Sequence, residues 1–294
     1  MKNPIAKFLP ARFRKTHKTI PVVRLSGAIM AGGSALRPAL NLANCAGLLE
    51  KAFTMKGAPA VAIVVNSPGG SPVQSRLIYQ RIRDLATEHE KKVHVFVEDA
   101  AASGGYMIAC AGDDITVDPS SIVGSIGVVS SSFGFVEAIE KVGVTRRVYT
   151  AGQNKSVLDP FLPEKETDIA RLKDLQLEIH KVFIDLVKES RGDRLVDDED
   201  MFTGLFWTGG RGKDLGLVDA IGDLRGTLKA KYGKDTKLRL IEKRQGLFGR
   251  RSAFGLDAGA FALQGDCVGR AAVAATETAF ATLEEKALWA RLGL

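Results

Sequence analysis

Residues 93–110 read VHVFVEDAAASGGYMIAC. The opening run, Val93 to Val97, reads as a buried strand, because apolar residues fall on both of its faces. It is followed by a glycine-rich turn carrying Ser103, and then by an apolar run read as a short helix. The same order occurs upstream. Ala60 to Val65 is a second strand apolar on both faces, Asn66-Ser67-Pro68-Gly69-Gly70 is its turn, and Val73 to Glu90 is a helix. Further out, Pro21 to Leu25, Ile115 to Val117 and Thr145 to Tyr149 read as strands, and Leu40 to Met55 and Phe135 to Lys141 as helices. Alternating strands and helices imply a mainly parallel sheet with right-handed crossovers.

A long amphipathic helix follows Pro163. Acidic Glu164, Glu166 and Asp168 lie near its start, where the helix dipole favours them, and Ile169, Leu172, Leu175, Ile179, Val182, Phe183 and Leu186 share one face. Past about residue 235 the composition turns basic and then alanine-rich, ending in ALWARLGL. The expected organisation is a basic N-terminal tail over 1–19, an α/β domain over 20–235, and a basic linker with a C-terminal helical appendage over 236–294.

The chain has 294 residues, 45% hydrophobic and 26% charged, values ordinary for a soluble globular protein. Cys45, Cys110 and Cys267 are odd in number and widely spaced, which argues against a disulfide framework or a zinc site. Reduced thiols fit a cytoplasmic setting. No secretory signal or membrane-spanning stretch is read from the sequence. The net charge of +7 is concentrated in the flanks: residues 1–18 carry six basic groups and no acid, and residues 236–254 six basic groups and one acid. The N-terminal tail also carries Phe8, Leu9 and Phe13. It reads either as a solvated end or as a peripheral contact with anionic lipid at the inner membrane. No nucleic-acid motif accompanies it, so nucleic acid is not an expected partner.

In a parallel sheet the carboxyl ends of the strands share one edge, so the two glycine turns face a common crevice. Glycine there permits positive φ and close approach of a substrate to the backbone. The N–H groups of Gly70 and Gly104 are candidate donors to a developing oxyanion, each contributing on the order of 3 kcal/mol to a transition state. Ser103 sits beside them, either as a helix N-cap or as a nucleophile. None of His17, His89, His94 and His180 lies in a loop between Ser103 and the long helix, so a Ser-His-Asp triad is not expected. A neutral lysine can replace histidine, since burial lowers the ordinary lysine value of about 10.4 by several units. Lys155 lies in a loop directly after an expected strand, and a solvated loop lysine is its other reading.

Together, NSPGG at 66–70, SGGY at 103–106, VGSIGV at 123–128, AGQNK at 151–155 and WTGGRGKDLGLVDAIGD at 207–223 resemble the signal peptide peptidase SppA (protease IV) family over residues 20–225. The resemblance implies a Clp protease/crotonase-like fold and a Ser/Lys-dyad serine endopeptidase that cleaves apolar peptides such as remnant signal peptides. By position, Ser103 matches the nucleophile, Lys155 the general base, Gly70 and Gly104 the oxyanion-hole donors, and Ser125 a serine that orients the lysine. No metal or organic cofactor is implied. Family members assemble into homo-oligomers, and in some the dyad is completed across a subunit boundary. Many also carry an N-terminal membrane anchor that is not read here. Two other functions compete: a crotonase-like acyl-CoA hydratase or isomerase, using the same two N–H donors without the serine, and a non-catalytic membrane-associated scaffold.

Overall fold

The computed structural model describes residues 17–32, 39–242, 282–283 and 285–294. The tail expected over 1–19, apart from its last three residues, and most of the 236–294 region lie outside these residues.

One eight-stranded sheet organises the chain. Its strands are β1 (Thr19–Ser26), β2 (Ala60–Ser67), β3 (Lys92–Ala102), β4 (Asp114–Val117), β5 (Ile122–Gly124), β6 (Phe206–Thr208), β7 (Ala220–Ile221) and β8 (Lys237–Leu240). The main path runs β6-β5-β3-β2-β1-β8, and β4 branches from β3 to reach β7. Every pairing is parallel except β5 with β6. This is the mainly parallel α/β architecture with β-α-β repeats expected for a Clp protease/crotonase-like fold.

Alternate residues of the central strands feed two cores, because successive side chains leave opposite faces of a strand. Val23, Leu25, Val61, Ile63, Val65, Val93 and Val95 pack beneath α1 (Leu42–Phe53), α2 (Pro72–Glu88), α3 (Gly104–Ala109) and α5 (Glu166–Arg191). Ile20, Val22, Ala60, Ala62, Val64 and Phe96 pack against Leu228 of α7 (Leu224–Tyr232). Each buried aliphatic side chain of this kind contributes about 1.5–3 kcal/mol. Two shorter helices are α4 (Val136–Lys141) and α6 (Gly209–Asp214), and residues 285–290 are helical as well.

The structure departs from the sequence reading in three places. First, β3 does not stop at Val97 but continues to Ala102. Val65 pairs with Val97 and Ser67 with Ala101, so two residues of β2 span four of β3. Asn66 clamps this bulge: its side chain donates to Asp99 at 2.7 Å and accepts from the Ala100 N–H at 3.1 Å. On its other side β3 forks, pairing with β4 at residues 94–97 and with β5 at 100–102. Second, residues 145–149 form no strand and are exposed. They belong to an arm over 129–162 that holds together locally: Arg146 pairs with Asp159 at 2.7 Å and lies over the Phe161 ring, which stacks on Phe135. Among the described residues this stretch has no neighbouring strand to bond to. Third, β8 completes the sheet beside β1, so the sheet continues past residue 235. Among the described residues no helix is long and apolar enough to cross a membrane.

Candidate active site

Ser103 joins β3 to α3 with φ 52° and ψ −122°. This is a costly conformation for a residue with a Cβ, roughly 1–3 kcal/mol, and it persists only where the surroundings impose it. Here they do. The Ser103 N–H donates to Gly124 O at 2.8 Å, and its carbonyl accepts from Tyr106 and Met107 at 2.9 and 3.1 Å. Helix α3 is buried along its whole length, and the Tyr106 hydroxyl donates to Leu217 O at 2.7 Å. The Ser103 side chain makes no capping bond to α3. Ser103 thus holds the N-cap position through its carbonyl alone, and the residue lines the cleft.

Gly70 stands opposite. Ile29 donates to Gly69 O at 2.8 Å and accepts from the Ser71 N–H at 2.7 Å. In a parallel bridge, the residue flanked by two such bonds turns its own N–H and C=O the other way. The Gly70 N–H therefore points away from Ile29. Gly70 has φ 136°, and a Cβ on it would stand 2.1 Å from Ile29 O, so glycine is required. The Gly104 N–H belongs to the first turn of α3, where helical N–H groups lack intrahelical partners. Between the two serine-bearing and glycine-bearing turns sits Gly69, where a Cβ would stand 2.7 Å from the Ser103 Cβ.

Ser103, Gly104 and Gly70 line a cavity of about 480 Å³ together with Ser125. About half of its lining is apolar, from side chains that include Met107 of α3, Ile179 and Phe183 of α5, Phe206 of β6, and Leu288 and Leu292 of the C-terminal helical segment. Among the described lining residues Arg291 is the single charged side chain. That volume and lining suit a few apolar side chains with a handful of polar groups to orient the backbone. Cys110, at the end of α3, is no second nucleophile: it is buried, and burial pushes its thiol up to about 11.

The structure brings four of the five expected residues together. Ser125 follows β5 with φ 53°, and its N–H donates to Leu205 O at 2.7 Å. Lys155 is not among the residues lining the cleft. It lies exposed in the 129–162 arm. Two histidines are engaged by other groups: His94 binds Asp114 at 2.8 Å and the Tyr232 hydroxyl at 2.6 Å on the α7 side, and His180 binds Ile126 O at 2.9 Å. Sequence reasoning missed Gly69, the α5 wall and the C-terminal leucines. The apolar face of the long helix signalled only that it packs, not what it packs against.

A family model described as Peptidase family S49 matches residues 86–237, more than half of the chain. A Synechocystis protein named a putative protease is 30% identical over 211 residues, covering 70% of this chain and 71% of that protein. A Brucella abortus protein named Na(+)/H(+) antiporter NhaA is 60% identical over 293 residues, covering 99% of this chain. The chain spans only 39% of that relative's length. A solved structure of the 1510-N membrane-bound stomatin-specific protease aligns with 77% of this chain and 99% of its own, at 16% identity and a TM-score of 0.47. The S49 model match over Ser103, Gly104, Ser125 and Lys155, and the Synechocystis relative matched over most of its length, lead to one conclusion: the chain belongs to peptidase family S49.

Proposed function

We propose that the chain is a serine endopeptidase that cleaves apolar peptides, such as remnant signal peptides, with Ser103 as nucleophile and Lys155 as base. The observation that carries the reading is Ser103 itself, strained, making no side-chain cap, and set in a cleft with apolar side chains on its wall, beside the outward-turned Gly70 N–H. A neutral lysine takes the hydroxyl proton as Ser103 Oγ attacks the scissile carbonyl. The Gly70 and Gly104 N–H groups bind the oxyanion. The lysinium protonates the leaving amine, and water then hydrolyses the acyl-enzyme with the lysine again as base. A crotonase-like reaction would use the two N–H donors but leaves the strain at Ser103 without a role. A scaffold leaves both without one. The antiporter name is not carried over, because this chain spans a minor part of the protein that bears it.

A lysine serves as base only when it is neutral, which requires burial. Lys155 is exposed in the single chain, on an arm whose Val129, Phe133, Val142 and Tyr149 are exposed as well. The arm therefore reaches a neighbouring copy, and each site takes its serine from one subunit and its lysine from another. The test is co-expression of Ser103→Ala with Lys155→Ala. Each variant alone should be inactive on a fluorogenic apolar peptide. In a mixed head-to-tail assembly about a quarter of sites combine an intact serine with an intact lysine, so activity returns to about that fraction. A dead mixture would remove the shared-site part of the reading. A wild-type chain that cleaves no apolar peptide would remove the peptidase reading itself.

A further inference from the structure

His180 sits on α5 between two residues of the cleft wall, Ile179 and Phe183, yet its ring is aimed at backbone. Its Nε2 lies 2.9 Å from the Ile126 carbonyl. A carbonyl oxygen only accepts, so Nε2 carries the proton. Ile126 is the fully buried middle of a short irregular segment. Just before it, Gly124 ends β5 with φ 99° and accepts the N–H of Ser103 at 2.8 Å. Ser125 holds φ 53° and donates to Leu205 O, and Gly127 donates back to Ser125 O at 2.9 Å. Residues 124–126 thus present, in order, the acceptor for the nucleophile's own amide, a strained serine in the cleft, and the acceptor for His180. The strand ladder has ended by Ser125, so the conformation beyond it depends on individual hydrogen bonds of this kind.

We infer that His180 is a positioning residue: its Nε2–H ties α5 to the 124–127 segment and so sets where Ser125 and the Ser103 backbone stand against the apolar wall. It does not touch the reacting atoms and takes no proton from them. The inference rests on the peptidase reading for its effect on turnover, but not for its effect on the backbone.

The experiment compares His180→Ala with His180→Gln, whose amide N–H can replace the lost donor. Two readouts are taken. Amide hydrogen exchange at Ser103, Ser125 and Gly127 reports the segment directly, and kcat on a fluorogenic apolar peptide reports the site. In His180→Ala the three amides should exchange about tenfold faster than in wild type, while β2 and the first half of β3 keep their protection. The kcat should fall about tenfold with a smaller change in KM, because misplacement of the nucleophile acts on the chemical step. His180→Gln should recover both. Unchanged exchange in folded His180→Ala overturns the inference, as does a folded His180→Gln as impaired as the alanine variant. If His180→Ala does not fold, the glutamine variant decides alone, by retaining or losing protection at Ser103 and Ser125. If wild type shows no cleavage, the exchange result still stands, and only the peptidase reading fails.

Discussion

Gly69 offers the sharpest test of how Ser103 is held. A Cβ placed there meets the Ser103 Cβ at 2.7 Å, the Ala102 carbonyl oxygen at 2.8 Å and the Gly104 N at 3.0 Å. None of these is the free end of a flexible side chain, so no rotamer change relieves the contact. Ordinary contact begins near 3.4 Å. In Gly69→Ala the Ser103 turn must therefore retreat by about 0.7 Å, and a displacement approaching 1 Å at the reacting atom costs on the order of 100-fold in rate. The variant also suffers backbone strain, because Gly69 has φ 104°. Strain alone is measured in Gly57→Ala, which shares positive φ at 74° but has nothing within 4 Å of its new Cβ. Gly57→Ala should lose about 1–2 kcal/mol of stability and keep its activity. Gly69→Ala should lose about 2–4 kcal/mol, strain and overpacking together, and about 100-fold in kcat/KM. The assays are urea unfolding followed by circular dichroism, cleavage of a fluorogenic apolar peptide, and the labelling rate with a fluorophosphonate. Folded Gly69→Ala that is labelled at the wild-type rate would refute the view that this glycine fixes the position of Ser103.

Two further outcomes are expected. Asp219 pairs with the fully buried Arg191 through two 2.9 Å hydrogen bonds. Burial pushes its carboxyl up, but the Arg191 hydrogen bonds and charge, the Ile115 N–H and Arg194 outweigh that and hold it below the usual carboxylate value. A carboxyl held down in this way stabilises the fold fully above its unfolded value of about 3.9 and loses that contribution as pH falls through the folded value. Asp219→Asn should cost about 3–5 kcal/mol at neutral pH, because it leaves Arg191 buried without its counter-charge. Urea midpoints measured down to pH 3 should show that deficit shrinking below about pH 4; a deficit independent of pH would count against the pair. Separately, deletion of 282–294 removes Leu288, Arg291 and Leu292 from the cleft wall. Cleavage of peptides several residues long should rise severalfold while fluorophosphonate labelling, which needs no extended groove, stays constant. A fall in both would show that the segment supports the site.

The central architecture was legible because its signals are local. Val93 to Val97 and Ala60 to Val65 are apolar on both faces, and that pattern needs a sheet covered on both sides wherever it occurs. The paired glycine turns were legible for the same reason: their conformations, such as φ 136° at Gly70, exclude other residues. Where local pattern and pairing part company, the reading failed. Thr145 to Tyr149 has the composition of a strand, yet strand formation depends on a partner, and among the described residues none lies beside it. The opposite case is β5, β6 and β8, of three or four residues each, too short to register as a period and specified by the strands they join. Glu98 and Asp99 read as the start of a turn, while β3 runs through them: Asn66 binds the Asp99 side chain, and β5 pairs with the residues that follow, 100–102.

At the site, the sequence by itself placed a serine and two glycine turns at the carboxyl edge of the sheet, and a lysine in a loop some fifty residues on. It left Ser103 open between cap and nucleophile, because both occur at the same strand-to-helix junction. The tertiary structure shows that its side chain does not cap α3. The Ser103 backbone is tied to Gly124 by its N–H and to α3 by its carbonyl, with Gly69 close beside it, and Gly124 and Gly69 are distant from it in the chain. The walls of the cleft were likewise decided by packing, since a helix face records that it is apolar but not which surface it meets. The separation of Lys155 from Ser103 has the same origin. Spacing along a chain says nothing of distance when the intervening arm folds on itself rather than onto the sheet.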